Sequence, residues 1–433
     1  MKKIILLSTI ASSLLLATNG DLMIGDGAIS TGMGGVGIAV SHGAESAYAN
    51  PAMIKDVKSS EFSAYATLFS PDVNFASDAG ADASGVATSV PAYAKSDADF
   101  SVIPGFAYVS RNNENIVWGI SLAGTAGMGT DYKKAAPSSG VFSMQTELQI
   151  AKLSIPVAYT SNDFTVAVAP VLQYSSLEIN YQTPAGASNN KADSSVGLGM
   201  TAGLAYDVGD LSFGAVYKSK IEATYKNNIS ASLGDFGISS VHSGDRLDQP
   251  SEIGIGAAYE IGNNTLAFDL KRIEWSKATG YKDFNWEDQN VIAVGYKYAT
   301  PTWAFRAGYN YGKSPIKELN AAPAADGSTY DNAAINFFNL SGFPAIVEEH
   351  YTLGGDYLVS SNLALSLAFV YSPEITNSFD TTAMSAGMAF NGARGQGADM
   401  ATAGAAAQAA STGSTANVTH AQSALTLGAT YKF

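Results

Sequence analysis

The chain ends in the stretch Ser423-Ala424-Leu425-Thr426-Leu427-Gly428-Ala429-Thr430-Tyr431-Lys432-Phe433. Its side chains alternate between two kinds: the odd-numbered positions are mainly apolar, and the even-numbered ones are small or polar. Successive side chains of a β-strand point to opposite faces, so one face of this stretch suits hydrocarbon and the other suits an aqueous lumen. The alternation predicts a membrane-spanning β-strand.

The same alternation recurs upstream. Leu365, Leu367 and Phe369 oppose Ser366 and Ala368. Trp and Tyr residues near the segment ends are typical of the aromatic girdles at membrane interfaces. Segments of this kind number about fourteen: 61–69, 102–110, 116–124, 143–160, 164–181, 194–206, 211–225, 250–260, 265–275, 289–299, 303–311, 350–358, 363–372 and 423–433.

The connections between these segments alternate between short and long. Short periplasmic turns and long extracellular loops are the known asymmetry of outer-membrane barrels, whereas a soluble β-sandwich has no reason to follow it. We therefore predict an all-β fold, an antiparallel transmembrane β-barrel of about fourteen strands. The short connections are 112–115, 161–163, 207–210, 262–264, 300–302 and 360–362.

The remaining composition narrows the class of protein. Residues 1–20 combine Lys2 and Lys3 with an apolar stretch and small residues, which predicts a signal peptide cleaved between Thr18 and Asp21. A net charge of -14 argues against nucleic acid as a partner. The chain has no cysteine and only four histidines, none at metal-ligand spacing. We therefore expect neither a metal or other cofactor nor an enzyme.

Two long segments differ from the strands. Residues 373–422 are rich in Ala, Gly, Ser and Thr, which predicts a flexible surface loop.

Residues 21–58 contain many glycines, among them Gly32, Gly34 and Gly37, and include Asn50-Pro51-Ala52 near their end. A GxGxxG pattern lies here, but no strand precedes it and no βαβ unit follows, so dinucleotide binding is not indicated. We expect a compact plug, or hatch, whose glycines pack against the inner wall of the barrel.

Several short motifs follow one another in an order that resembles the FadL family of outer-membrane transporters for long-chain fatty acids and hydrocarbons. Asn50-Pro51-Ala52 stands just before the first strand, where the family's hatch ends. The further matches are Ile103-Pro104, Trp118-Gly119, Val216 to Ile221, Trp275-Ser276, and Trp303 to Gly308 leading into Ser314-Pro315-Ile316.

This resemblance implies a fourteen-stranded barrel over residues 59–433 with the hatch inside its lumen. It implies passive, ligand-gated uptake: a hydrophobic ligand is captured by extracellular loops, passes a lumenal pocket and exits laterally where the third strand kinks. Gly119 and Gly124 are the candidates for that kink. Phe433 resembles the terminal signal read by the barrel-assembly machinery. Outer-membrane lipid and lipopolysaccharide would surround a monomer.

A fatty acid needs an apolar groove and a cation for its carboxylate. Parity along the strands predicts four inward cations: Arg306 and Lys297 on neighbouring strands, then Lys218 and Lys220. The alternative is that these cations pair with lumenal acids. The acids available for that pairing are Asp269, Asp356 and Glu252.

An unusually apolar run in a long loop contains Phe337, Phe338 and Phe343. Such a run indicates either a capture surface for the ligand or a segment that folds down over the barrel mouth.

Two other functions remain open from the sequence. A general porin would need an open polar lumen without a plug. A surface adhesin or structural barrel would place its function in the long loops. The sequence does not decide which hydrophobic ligand is carried.

Overall fold

The alternating segments form the strands of a closed antiparallel β-barrel. We analysed a computed structural model, which describes residues 18–78, 93–135, 140–183, 186–324 and 327–433. Within these ranges the wall has fourteen strands. They are β1 Ser60–Ser77, β2 Ser101–Arg111, β3 Ile116–Asp131, β4 Gln145–Ser154 with Val157–Ser161, β5 Phe164–Thr183, β6 Asp193–Val208, β7 Leu211–Lys218, β8 Glu252–Ile261, β9 Asn264–Ile273, β10 Gln289–Ala299, β11 Trp303–Gly312, β12 Glu349–Leu358, β13 Leu363–Asp380 and β14 Thr415–Lys432.

Each strand pairs with its neighbours, and β14 closes the barrel by pairing with β1 from Lys432↔Glu61 to Ala416↔Ser77. Closure removes the free edges that hydrocarbon cannot solvate. The predicted strand count and the alternation along the last strand are confirmed. Leu427 and Tyr431 are exposed on the outer face, whereas Thr426 and Thr430 are buried inside.

The strand limits differ from the predicted ones on the side with long loops. β1, β5, β13 and β14 run for 18 to 20 residues, about twice what a membrane crossing needs. β4 is interrupted at Ile155 and Pro156, and β7 ends at Lys218. A bulge lies between Ser372 and Ile375, where Pro373 has no N–H to donate.

The prediction of one flexible loop over 373–422 is wrong. β13 continues to Asp380 and β14 begins at Thr415, and two helices lie between them, α5 Thr382–Gly395 and α6 Met400–Ala409. Asp399 caps α6 by accepting a hydrogen bond from the Thr402 N–H at 2.7 Å. Alanine is the strongest helix former, so a run that is low in complexity can still be helical.

Residues 18–57, here called the N-terminal segment, lie inside the lumen, and among them Asp56 alone is exposed. The predicted signal peptide, residues 1–20, falls outside the described residues except for Thr18 to Gly20, which are buried in the lumen. The segment contains short strands, helices and turns. These are Thr18–Asn19, Leu22–Met23, α1 Ala28–Gly32, Gly43–Glu45, α2 Ser46–Ala49 and the 3-10 helix Pro51–Asp56.

The base of the N-terminal segment is fixed at the end of the barrel with short turns, which is the periplasmic end. The Arg111 guanidinium donates to the carbonyls of Lys55 and Val57. Lys55 also forms an ion pair with Asp207 at 2.7 Å. At the opposite end, α3 Ile229–Asp235 and α4 Tyr330–Gly342 pack over the mouth in the largest apolar cluster of the molecule. In the described residues no helix is long and apolar enough to cross a membrane.

Candidate functional site

A cavity with about 1150 Å³ of empty space, part of it open to solvent, lies in the lumen beside the N-terminal segment. Strands β3 to β9 form its outer wall, and residues between Asn19 and Ala49 form its inner wall. Much of the surface is apolar, as a hydrophobic ligand requires. The apolar lining includes Leu22, Met23, Ile24, Val171, Met200, Val216, Ile221 and Ile273.

Three lysines face this cavity: Lys152 from β4, Lys218 from β7 and Lys271 from β9. Lys218 Nζ lies 3.5 Å from Glu252 Oε1. Within the described ranges, neither Lys152 nor Lys271 has a carboxylate oxygen within 4.0 Å. The cavity therefore combines an apolar surface with cations whose charge is only partly compensated.

Two further carboxyl groups line the cavity. Asp269 Oδ2 accepts the backbone N–H groups of Gly37 at 2.8 Å and Ile38 at 3.0 Å, which ties the N-terminal segment to β9. Asp26 belongs to the segment itself, and its Oδ1 is buried with no hydrogen-bond partner among the described residues. Burial raises the pKa of Asp26 to about 6, although the charges of Lys218 and Lys152 oppose the shift.

The wall is interrupted next to this cavity. The β2–β3 register runs from Arg111↔Val117 to Gly105↔Ala123 and stops there, although β3 continues to Asp131. On its other side β3 shifts register between Gly124 and Ala126, a bulge at Thr125. A Cβ at Gly124 would stand 2.7 Å from Ile103 Cγ2, so only a glycine lets β2 and β3 approach this closely at the point of divergence.

The N-terminal segment fills the place that β2 leaves. Leu22 pairs with Ala126, and the Gly127 N–H donates to the Asp21 carbonyl at 2.9 Å. These contacts satisfy backbone groups of β3 that membrane hydrocarbon could not. The edge of β3 beside the gap is thus covered from inside the lumen.

The Asp21 side chain reaches the opposite side of the barrel. Its carboxylate accepts hydrogen bonds from the Tyr281 hydroxyl and from Gln249 Nε2, the latter at 3.0 Å. Burial raises the pKa of Asp21 to about 6, and the same hydrogen bonds oppose the shift. Asp21 therefore connects the edge of β3 to loops that follow β7 and β9.

A second, almost wholly apolar pocket lies at the extracellular mouth, with about 480 Å³ of empty space, part of it open to solvent, and Tyr281 is part of its lining. Phe338 and Phe343 line it together with Trp286 and Leu233. Tyr281 and its partner Asp21 thus stand between the mouth pocket and the lumenal cavity.

Of the predicted aromatic residues, Phe337 and Phe338 are buried and Phe343 is partly buried, so of the two interpretations of this run the structure supports folding over the mouth. Phe337 and Phe338 lie in α4 and are 0% and 2% exposed. Phe337 does not line the pocket but packs edge to face against Phe75 at 5.5 Å and Phe142 at 5.3 Å.

The predicted cations are not brought together. Lys297 and Arg306 are direct cross-strand neighbours, as expected, but neither lines the lumenal cavity. Arg306 forms an ion pair with Asp356. The prediction that Lys220 lies on the seventh strand is wrong because β7 ends two residues earlier, and Lys220 Nζ lies 3.4 Å from the buried Asp248. Of the four predicted cations only Lys218 faces the cavity.

The predicted hatch residues all lie in the N-terminal segment. Asn50 Nδ2 donates to the carbonyls of Ile38 at 2.7 Å and Leu204 at 3.1 Å. Its Oδ1 accepts the Ala52 N–H and caps the 3-10 helix, in which Pro51 takes the first position.

The glycines of the segment allow close packing. Gly34 has a φ of 72°, and a Cβ there would stand 2.8 Å from the backbone of Tyr309. Gly32 packs on Gly354 of the wall, and Gly37 packs on Ala49 of the segment itself.

Two other predicted positions lie in the wall. The Gly119 N–H donates to the Pro156 carbonyl at 2.9 Å, where β4 is interrupted. Phe433 packs against Tyr108 and Tyr431, and its N–H donates to the Ser60 carbonyl.

The sequence interpretation missed Lys152 and Lys271. Both lie on the inward face of their strands. The alternation between inward and outward side chains, which predicted an inward Lys297, could therefore have identified them. No signal in the sequence pointed to Asp21, because its role depends on contacts with residues 127, 249 and 281.

Comparison with known proteins identifies the family. The model of the family described as outer membrane protein transport protein (OMPP1/FadL/TodX) matches residues 24–326, well over half of the chain. The chain belongs to this family. It is accordingly an outer-membrane transport protein.

Curated relatives agree with this assignment. A protein named long-chain fatty acid transport protein, from Escherichia coli O6:H1, is 27% identical over 334 residues, 64% of this chain and 73% of the relative. The protein of the same name from Escherichia coli K12 is 24% identical over 343 residues, 65% of this chain and 75% of the relative.

Solved structures share the fold. A Pseudomonas aeruginosa FadL homologue superposes with a TM-score of 0.67 at 16% identity, covering 96% of this chain and all of the other. The Pseudomonas putida toluene transporter TodX gives 0.63 at 17% identity with the same coverage.

Proposed function

We propose that this protein lets hydrophobic small molecules, long-chain fatty acids or hydrocarbons, cross the outer membrane passively, with the N-terminal segment as the gate. One observation carries the proposal: the lumenal cavity borders the gap between β2 and β3, and Asp21 and Leu22 cover that gap from inside. A ligand in the cavity needs only the displacement of this short stretch to reach the bilayer sideways.

The proposed route begins at the apolar pocket under α3 and α4, which takes the ligand from the extracellular side. It continues past Asp21 and Tyr281 into the lumenal cavity. The exit lies at Gly124 and Thr125, where the wall opens towards hydrocarbon. A lateral exit spares an apolar ligand from entering the aqueous periplasm, which is unfavourable in proportion to its apolar area.

The ligand class follows from the lining and from the relatives. Apolar side chains beside three lysines suit an alkyl chain that carries an acidic headgroup. The curated relatives are named as transporters of long-chain fatty acids, and solved relatives as toluene transporters. Both classes belong in the first test.

The remaining roles are part of the same proposal. Residues 1–20 act as a signal peptide, 21–58 as the hatch and 59–433 as the barrel. Phe433 serves assembly by the barrel-assembly machinery, and the monomer sits in lipid and lipopolysaccharide. The protein performs no catalysis. A general porin is disfavoured by the plug, which fills the lumen that such a channel would keep open.

The test is uptake of a radiolabelled long-chain fatty acid, with toluene and a small sugar as comparators, by cells that express the chain. Saturable uptake of the fatty acid or of toluene, without sugar flux, supports the proposal and identifies the ligand class. Sugar flux without hydrophobic uptake would instead establish a porin.

The matched variant is Asn50→Ala, which removes the cap at Ala52 and the link to Leu204. Loss of an N-cap costs about 1 kcal/mol, enough to loosen the base of the segment, so ligand-dependent uptake should fall. Asn417→Ala is the control, since Asn417 lies on the extracellular part of β14 and bonds only Thr415 among its described side-chain contacts. Equal uptake by both variants would argue against a gating role for the segment.

A further inference from the structure

Glu252 is the one carboxylate among the described residues with an oxygen within 4.0 Å of a lysine of the lumenal cavity. It is the first residue of β8, is 7% exposed, and stands directly opposite Lys218 in the β7–β8 register. Its carboxylate interacts electrostatically with Lys218, Lys271 and Lys152 together. Glu252 thus pairs with Lys218 and lies within electrostatic range of the other two ammonium groups.

The other acids of the cavity have different roles. Asp269 is occupied by the backbone N–H groups of Gly37 and Ile38. Asp26 has no ion pair within 4.0 Å among the described residues and belongs to the N-terminal segment. Glu252 is therefore the acid with which a ligand carboxylate would compete directly for Lys218.

Charge balance decides what Glu252 does there. Half-buried ammonium groups without a counter-charge are unfavourable, so an internal carboxylate stabilises the cavity when no ligand is bound. A second carboxylate entering the same cluster has to share or take over those lysines. A neutral ligand of equal length has no such competition.

We infer that Glu252 is an internal surrogate for the ligand's headgroup, and that it lowers the affinity of the cavity for anionic ligands while leaving neutral ones unaffected. This rests on the proposed function, because it assumes that a hydrophobic ligand enters the cavity. The consequence is physiological: a channel has to release what it binds, and a resident carboxylate promotes release of an acid from three lysines.

The test compares two ligands of matched chain, oleate and oleyl alcohol, for binding to the purified full-length protein. Glu252→Gln removes the competing charge and keeps the size of the side chain. We expect oleate to bind about tenfold tighter or more, the scale of coupling between close buried charges. Binding of the alcohol should not change.

Two controls isolate the charge effect. Glu260→Gln makes the same substitution on β8 near the periplasmic turn, away from the cavity, and should leave the affinities for both ligands unchanged. Combining Glu252→Gln with Lys218→Gln should shrink the gain, because one of the competed lysines is then absent. Folding of each variant is checked by its heat-dependent mobility in gel electrophoresis.

The outcomes separate the two proposals. Oleate that binds Glu252→Gln no tighter than the unchanged protein, or an equal change for the alcohol, would overturn the surrogate role while the uptake function stands. If the unchanged protein binds neither ligand saturably, the proposed function itself fails.

Discussion

At the scale of single residues, Asp21 connects two parts of the lumen that are far apart in sequence. Its carbonyl accepts from Gly127 on β3, and its carboxylate accepts from Tyr281 and Gln249. Hydrogen bonds to a charged group contribute about 1.5–3 kcal/mol each. Asp21 is therefore a strong point of attachment between the N-terminal segment and the extracellular loops.

Asp21→Ala should leave the gate partly open. Losing both side-chain bonds frees the segment next to β3, so whole cells that express the variant should take up toluene several-fold faster than cells that express the unchanged protein. Asp210→Ala, in the exposed turn between β6 and β7, is the control. Identical uptake for Asp21→Ala and the control would show that Asp21 does not hold the gate.

Asp26 should make the binding of anionic ligands depend on pH. It faces Lys152, Lys218 and Lys271 together with Glu252, and its pKa is raised to about 6. Above that pH the carboxylate is charged and repels a bound anion, whereas below it the group is neutral. Affinity for a long-chain alkyl sulfonate, which stays ionised throughout, should therefore rise as the pH falls through 6.

The measurement is a binding titration at several pH values, with Asp26→Asn as the comparison. The amide has the same size and no charge, so its titration should be flat and as tight as that of the unchanged protein at low pH. A pH dependence that persists in Asp26→Asn would assign it to another group, such as Asp21.

At the scale of elements, β3 decides where the wall opens. Its sequence places Gly119, Gly124, Gly127 and Gly129 along one strand. The sequence predicted a kink from these glycines. The sequence could not predict which of the two neighbouring strands would stop pairing with β3. That depends on where β2 begins and on the bulge at Thr125.

A disulfide across the gap should block delivery without blocking binding. Ile103 and Gly124 are suited to it: a Cβ at Gly124 stands 2.7 Å from Ile103 Cγ2, and one C–C bond adds about 1.5 Å. Their Cβ separation is therefore at most about 4.2 Å, below the upper limit of roughly 4.5 Å for a disulfide. Since the chain contains no cysteine, Ile103→Cys with Gly124→Cys gives a single defined bond.

We expect the oxidised variant to bind a fatty acid but to lose most uptake, and reduction to restore it. As the control, Leu365→Cys with Ala429→Cys forms the same bond between lipid-facing neighbours on β13 and β14, away from the gap. Full uptake by the oxidised Ile103–Gly124 variant would place the exit elsewhere.

At the scale of the whole molecule, the barrel and the N-terminal segment are separate in how they are stabilised. The strand ladder closes from β14 to β1 without any residue of the segment. The segment is instead held by side-chain and backbone contacts with the inner wall, among them Asp269, Asn310 and Thr352.

Deleting residues 21–57 should therefore leave a folded barrel with a wide pore. Single-channel conductance in planar bilayers should rise from near zero to a porin-like value, and the small sugar should then pass. The unchanged protein supplies the control in the same bilayers. A folded deletion variant that conducts no better than the full chain would contradict the plug interpretation.

The sequence alone was enough to predict the class of fold, the strand count and the inward positions of Arg306, Lys297 and Lys218. Each follows from a local period of two and from the lengths of connections, which need no knowledge of distant residues. The same rule also predicts inward positions for Lys152 and Lys271, which the sequence interpretation had not selected. The folded structure was needed to show which cations share a cavity, that residues 382–395 and 400–409 form helices, and that Asp21 and Leu22 cover the gap beside β3. Those properties depend on curvature, bulges and packing between residues hundreds of positions apart, and a periodic pattern carries no information about them.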